Sequence, residues 1–203
     1  MSWALFVEGD YDEVFVRWLW GTLDSEEDVE IHRIDGGISK LHSVQNEIRK
    51  SHDAGRNVAL LLDADTNPDR TRRQLAREIA RLDLPIERSF LLPDDVAPGN
   101  LETLLEQMAP AAHRVVYICF DQYEECLSTP DRDYTTPNRK ARVYAYCNAV
   151  GADTGPEKNY ADAAHWDPAV PGLEPLRRFL RDLNRVDETD TDATPEAPDV
   201  DTD

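Results

Sequence analysis

The sequence predicts an α/β fold: a mostly parallel four-stranded sheet flanked by helices, with a helical C-terminal extension. Three observations carry this. Short apolar runs end abruptly in polar turns after Val7, Ile34, Leu62 and Leu92. Between those runs apolar residues recur at helical spacing. Strands that alternate with helices in this way imply parallel pairing, with both sheet faces covered. The boundaries read as an α/β core over 1–110, a helical extension packed on it over 111–186, and an acidic disordered tail over 187–203.

Ala4 to Val7 is the first buried strand, and it stops at Glu8-Gly9. Gly9 suits a tight turn, and Asp10 with Glu13 fits a capping box for a helix burying Val14, Phe15, Trp18 and Leu19. Val29 to Ile34 alternates like a strand until Asp35-Gly36-Gly37 breaks it, and a helix with Leu41, Val44 and Ile48 inward follows. Val58 to Leu62 is the third strand and leads straight into Asp63-Ala64-Asp65. After Pro68 a helix buries Leu75, Ile79 and Leu82 and carries Arg70, Arg73, Arg77 and Arg81 on another side. Ile86 to Leu92 is the fourth strand, and Asn100 caps a short helix after it. Three further apolar stripes are expected inward. They are Val115, Val116, Cys119, Phe120, Tyr123, Cys126 and Leu127; then Ala141, Tyr144, Cys147 and Val150; then Leu176, Phe179, Leu180 and Leu183.

Charge narrows the function classes. The net charge is −19, and the tail holds eight carboxylates with no Lys or Arg, so the remainder still carries −11. An acidic surface opposes non-specific nucleic-acid binding unless metal ions or a local basic stripe offset it. No apolar run is long enough for a membrane span. The first residues reach Glu8 too soon for a signal peptide. Cys119, Cys126 and Cys147 lack metal-ligand spacing and are expected to be buried thiols, and the five His form no zinc motif. These features point to a cytoplasmic protein without disulfides.

The chemistry centres on carboxylates at strand ends. Side chains two apart on a strand share a face, so Asp63 and Asp65 are expected together at the carboxyl edge of the third strand, where open α/β sheets bind ligands. Two carboxylates so placed repel unless a cation separates them. A parallel sheet brings Glu8 to the same rim, and oxygen ligands from several segments suit a hard divalent ion. Asp10 reads as a helix cap, and Asp94-Asp95 as a solvated turn.

Glu8-Gly9-Asp10-Tyr11-Asp12 after one strand and Asp63-Ala64-Asp65 after another resemble the E-G-x-x-D and D-x-D signature of the Toprim superfamily. The nearer resemblance is to the nuclease domain of OLD-family proteins and to small standalone Toprim proteins like it. Two segments carry it: the turn Asp35-Gly36-Gly37 and the run Gly99-Asn100-Leu101-Glu102-Thr103-Leu104-Leu105. The resemblance spans the whole folded region. It implies a Mg²⁺- or Mn²⁺-dependent nuclease acting on DNA with one or two ions. Glu8, Asp63, Asp65 and Glu102 would be ligands, Asp12 a ligand or a support for one, and Glu8 and Lys140 catalytic. Arg70, Arg73, Arg77 and Lys40 are the candidates for nucleic-acid contact, set against the plainer reading of a solvated basic face. OLD proteins join this domain to an ABC-type ATPase, and this sequence contains no G-x-x-x-x-G-K-[ST] loop, so an ATPase is expected in trans. A homodimer is compatible with all of this.

Two other classes compete. A Toprim fold could bind metal or a partner without cutting. A small-molecule phosphohydrolase of the D-x-D-x-T type is the weaker alternative, because that motif wants Thr at 67, where this chain has Asn67 and places Thr66 one residue early.

Overall fold

Four strands, β1 (Trp3–Val7), β2 (Val29–Arg33), β3 (Asn57–Asp63) and β4 (Arg88–Leu92), pair in the order β2-β1-β3-β4, all parallel. They belong to a computed structural model that describes residues 2–23, 29–128, 133–155 and 157–184. The expected tail, 187–203, lies outside the described residues. Alternation sends Leu5, Val7, Ala59, Leu61, Phe90 and Leu92 to one face, and Ala4, Phe6, Val58, Leu60, Leu62 and Leu91 to the other. Both sets are buried, which is why β1 and β3 read as unbroken apolar runs rather than alternating ones. Each fully buried Leu contributes about 2 kcal/mol of transfer free energy.

The second face is covered by α2 (Gln45–Asp53) and α3 (Pro68–Leu82), through Ile48, Leu75 and Leu82. The first face is covered by α1 (Asp10–Trp20), α4 (Leu101–Met108), α6 (Arg139–Val150) and α7 (Glu174–Asn184). Helix α7 packs on the edge of the sheet, with Phe179 and Phe90 ring centroids 5.1 Å apart. The C-terminal helices therefore share one hydrophobic core with β1, β3 and β4.

Local signals explain the helix limits. Asn67 accepts a hydrogen bond from the Arg70 backbone N–H at 2.9 Å, and Pro68 occupies the first turn, where its missing N–H costs nothing. Helix α3 ends with Asp83 in the left-handed region, and Leu84 N donates to Ile79 O, the signature of a Schellman motif. Asn100 caps α4 as expected, exchanging hydrogen bonds with Thr103.

Several expectations need correction. Helix α1 is capped at Gly9, not Asp10, and Asp12 rather than Glu13 accepts the Gly9 N–H. Its buried residues are Asp12, Phe15, Val16 and Leu19, with Val14 and Trp18 half-buried. The segment after β2 is a 3-10 turn over Ile38–Ser43 before α2 starts, and β4 begins at Arg88, after Pro85 and Ile86. In α6 the buried residues are Val143, Tyr146 and Cys147. The largest correction concerns α5 (Val115–Leu127), which buries only Tyr117. Val115, Ile118, Tyr123, Cys119 and Cys126 face outward, so two of the three thiols are exposed. Helix α5 has apolar residues all round its first turns, so periodicity alone does not name the inward side. Trp166, in an irregular stretch, is 1% exposed and packs on Tyr146 and Tyr160.

Candidate metal centre

The strand order reverses between β1 and β3, which are hydrogen-bonded neighbours. Such a switch point is where parallel sheets open a crevice at their carboxyl ends. Val7 pairs with Leu61, so Glu8 and Asp63 emerge at the same edge. The Asp63 backbone N–H donates to Glu8 Oε2 at 3.3 Å. Gly37, after β2, closes against the same carboxylate. A Cβ there would stand 2.8 Å from Glu8 Oε1 and 3.1 Å from Oε2, and its φ of +63° with ψ of −157° is glycine territory. The Asp35-Gly36-Gly37 turn thus gives the Glu8 carboxylate a backbone wall.

Asp12 sits in the first turn of α1, 9% exposed, and accepts the Gly9 N–H through Oδ2 at 3.0 Å. Asp63 is half-buried, and its Oδ1 is shut from solvent without a hydrogen bond. Asp65 differs from expectation. The strand ends at Asp63, and Asp65 is exposed in the left-handed region at φ +55°, so it does not share a strand face with Asp63. It is anchored instead by a bridge in which Gly99 N donates to Asp65 O at 2.7 Å. That bridge draws the start of α4, and Glu102 with it, toward β3. Asp65 and Asp63 still line one cleft of about 160 Å³ with Glu8, Gly37 and Thr71.

The carboxylates act on one another. Burial, then Asp12, Glu8, Glu102 and Asp65, push the Asp63 carboxyl up to about 9. Burial, then Glu8 and Glu102, push Asp12 up to about 7. Burial also raises Glu8, with Asp65 and Glu102 adding to it and the Asp63 N–H opposing. All five predicted acids are therefore electrostatic neighbours. Asp94 and Asp95 are not part of this group: they organise the turn after β4, accepting backbone N–H groups from Val96, Ala97 and Leu91.

Cations frame the acids. Lys140 is exposed, with Nζ 4.2 Å from the centroid of the Tyr11 ring. Lys158, which the sequence reading did not single out, has Nζ 4.3 Å from the same centroid. It is 5% exposed and donates to the carbonyls of Thr154 and Gly155, and burial lowers its pKa. Tyr11 and Tyr144 hydroxyls meet at 2.8 Å, and both rings line a pocket with Glu102, Lys140 and Lys158. Lys158 lies outside regular secondary structure, where spacing gives no signal; a lone Lys in an otherwise Lys-poor chain was the available hint.

The neighbouring arginines separate by role. Arg142 turns away to Asp121 and Glu124, at 2.6 and 3.0 Å. Arg139 lines a cleft with Asp65, Thr66, Gly99 and Asn100. Of the other predicted contacts, Arg70 lines a cleft with Asp65, and Lys40 packs its stem against Gly36 beside the rim. Arg73 and Arg77 are exposed further along α3 and line none of the three clefts described that contain Asp63 or Asp65.

Among the described residues, no three His, Cys, Asp or Glu side chains close into an arrangement that would hold a metal ion by themselves. The donor set nonetheless fits a hard cation that keeps waters. Asp63 Oδ1 lacks a partner, Gly37 holds the Glu8 carboxylate from behind, and mutual repulsion is what a cation would relieve. No helix among the described residues is long and apolar enough to cross a membrane.

The family model described as "Protein of unknown function (DUF3226)" matches residues 2–185. No curated protein and no solved structure matches the chain.

Proposed function

This chain belongs to the DUF3226 family, and for it we propose a divalent-metal-dependent phosphodiesterase of Toprim type that cleaves DNA. The observation that carries the reading is the unpartnered, buried Asp63 Oδ1 at the β1/β3 switch point, surrounded by Glu8, Asp12, Asp65 and Glu102. Glu8, Asp63, Asp65 and Glu102 would hold Mg²⁺ or Mn²⁺, which when bound neutralises phosphate charge and lowers the pKa of a coordinated water.

The chain's own groups have separable tasks. Asp12 ties down the Gly9 turn and so fixes the direction of Glu8. Gly37 keeps the Glu8 carboxylate from swinging back toward β2. Lys140, stacked on Tyr11 at the surface, can reach a phosphate oxygen, whereas Lys158 is committed to two carbonyls and holds Tyr11 in place. Arg70 and Arg139 flank Asp65 on two sides and supply the local positive charge that an acidic surface otherwise lacks. An ATPase in trans belongs to the same proposal.

The test is nicking of supercoiled plasmid with Mg²⁺ or Mn²⁺, comparing the native chain with Asp63→Ala/Asp65→Ala. Loss of nicking in the double variant supports the reading; nicking that persists unchanged sinks it. A second reading, a metal- or partner-binding module that cuts nothing, is favoured by the absence of a closed three-ligand arrangement among the described residues. It predicts metal binding without nicking by either protein.

A further inference from the structure

A cleft of about 720 Å³ lies not at the carboxylates but beside α4, between α5 and the turn Pro171–Leu173. It connects to them. Asn100 lines the cleft at Asp65, Thr103, Glu106 and Gln107 line the large groove, and Arg139 lines both. Asn100, the cap of α4, and Thr103, Glu106 and Gln107 on the helix recur at helical spacing, so one side forms a wall about 10 Å long. That length suits a dinucleotide rather than a lone phosphate.

The groove sets an unpartnered hydroxyl beside an ion-paired carboxylate. Tyr117 is 8% exposed, and its hydroxyl has no hydrogen-bond partner. Glu106 Oε1 lies in ion-pair range of Arg142 at 3.4 Å and Arg139 at 3.6 Å, yet it too is buried without a hydrogen bond. A buried polar atom left open is costly and is normally satisfied. A phenol donor beside a carboxylate acceptor complements the mixed donor and acceptor edge of a nucleobase. Val170, Pro171 and Ile118 give an apolar wall for its ring, and Arg114 and Arg139 stand where phosphates would pass. The groove's other acid, Asp121, is already paired with Arg142.

We propose that this groove seats an unpaired nucleotide next to the scissile bond, so that the substrate is single-stranded or locally opened nucleic acid. The inference rests on the phosphodiesterase reading for its geometry, since the wall leads to Asp65. A base paired in a duplex has its hydrogen-bonding edge occupied and stacked and cannot enter such a groove without flipping.

The experiment measures fluorescence anisotropy of a labelled oligothymidylate and of a duplex of equal length, in EDTA so that nothing is cleaved. Wild type is expected to prefer the single strand. Tyr117→Phe, which removes only an unpaired hydroxyl and should fold normally, weakens binding about threefold. Arg114→Glu, on the surface, weakens it about tenfold. Lys50→Ala, exposed on α2 over the opposite face of the sheet, leaves it unchanged. Equal affinity in wild type and both groove variants, or a preference for duplex, overturns the proposal. Intact single-strand binding without metal-dependent nicking sinks the nuclease reading and leaves the groove standing.

Discussion

Replacing Asp63 with Asn removes one ionisable carboxyl from a cluster of five acids while keeping the shape of the side chain. In the folded, metal-free chain the Asp63 carboxyl is pushed up to about 9 from its ordinary 3.8. At neutral pH the unfolded chain ionises this group and the folded chain keeps it protonated, so folding must take up a proton. With 1.36 kcal/mol per pKa unit, a group titrating alone would cost roughly 4 kcal/mol at pH 7. Burial is the largest cause of the shift, with Asp12 and Glu8 next, and because Asp63 titrates together with them its removal returns only part of this, roughly 2 kcal/mol. For a domain of this size that is a rise of roughly 4–8 °C in Tm. The sign follows from the folded pKa lying above the unfolded one. The penalty is absent below the unfolded value, grows as pH rises, and is complete once pH passes the folded value. Thermal melts in EDTA near pH 5 and pH 8 should therefore show Asp63→Asn gaining on wild type at the higher pH and little at the lower. Saturating Mn²⁺ should reverse the order, because only wild type gains binding energy, about 2.7 kcal/mol at a hundredfold excess over Kd. An Asn variant that is less stable in EDTA near pH 8, or a difference that ignores pH, would refute the repulsion argument.

Three other predictions probe separate links. Gly37→Ala puts a methyl 2.8 Å from Glu8 Oε1 in a backbone region that Ala resists; it should cost roughly 1–3 kcal/mol in denaturant melts and weaken Mn²⁺ binding, and a variant with unchanged metal affinity would show that the cradle is idle. Lys158→Met loses two hydrogen bonds and a cation–ring contact, about 1–3 kcal/mol, and should cut nicking at least tenfold without altering metal affinity; full activity would remove Lys158 and Tyr11 from the site. In native protein a thiol reagent should modify Cys119 and Cys126 quickly and Cys147 only after denaturation, so rapid reaction of all three would contradict the packing of α6.

The strands and the helices that alternate with them were legible because their apolar runs have unambiguous lengths and ends. Glu8 and Asp63 were legible for the same reason: the last apolar residue of a buried strand names its rim. Asp65 lines a cleft with Asp63, but not by the strand alternation expected of it. Its position depends on a left-handed turn at Asp65 and on a bridge to Gly99, 34 residues away in sequence. The outward turn of α5 escaped because that helix is apolar on both sides, and its packing, with Tyr117 against Tyr146 and Asp121 and Glu124 on Arg142, selects one. Lys158 escaped because irregular backbone has no period. Gly37 was read as a turn former, and its role as a wall for Glu8 exists only after β1 and β2 pair, with Val7 opposite Arg33.

The central claim is that the acids at the β1/β3 edge form a cation site. Titration of the native chain with Mn²⁺ near pH 8, followed calorimetrically and by loss of the free-ion paramagnetic signal, measures it directly. The account predicts saturable binding of one or two ions, lost in Asp63→Ala/Asp65→Ala and preserved in Asp94→Ala. A native chain that takes up no ion, or a double variant that binds as the native chain does, would contradict it.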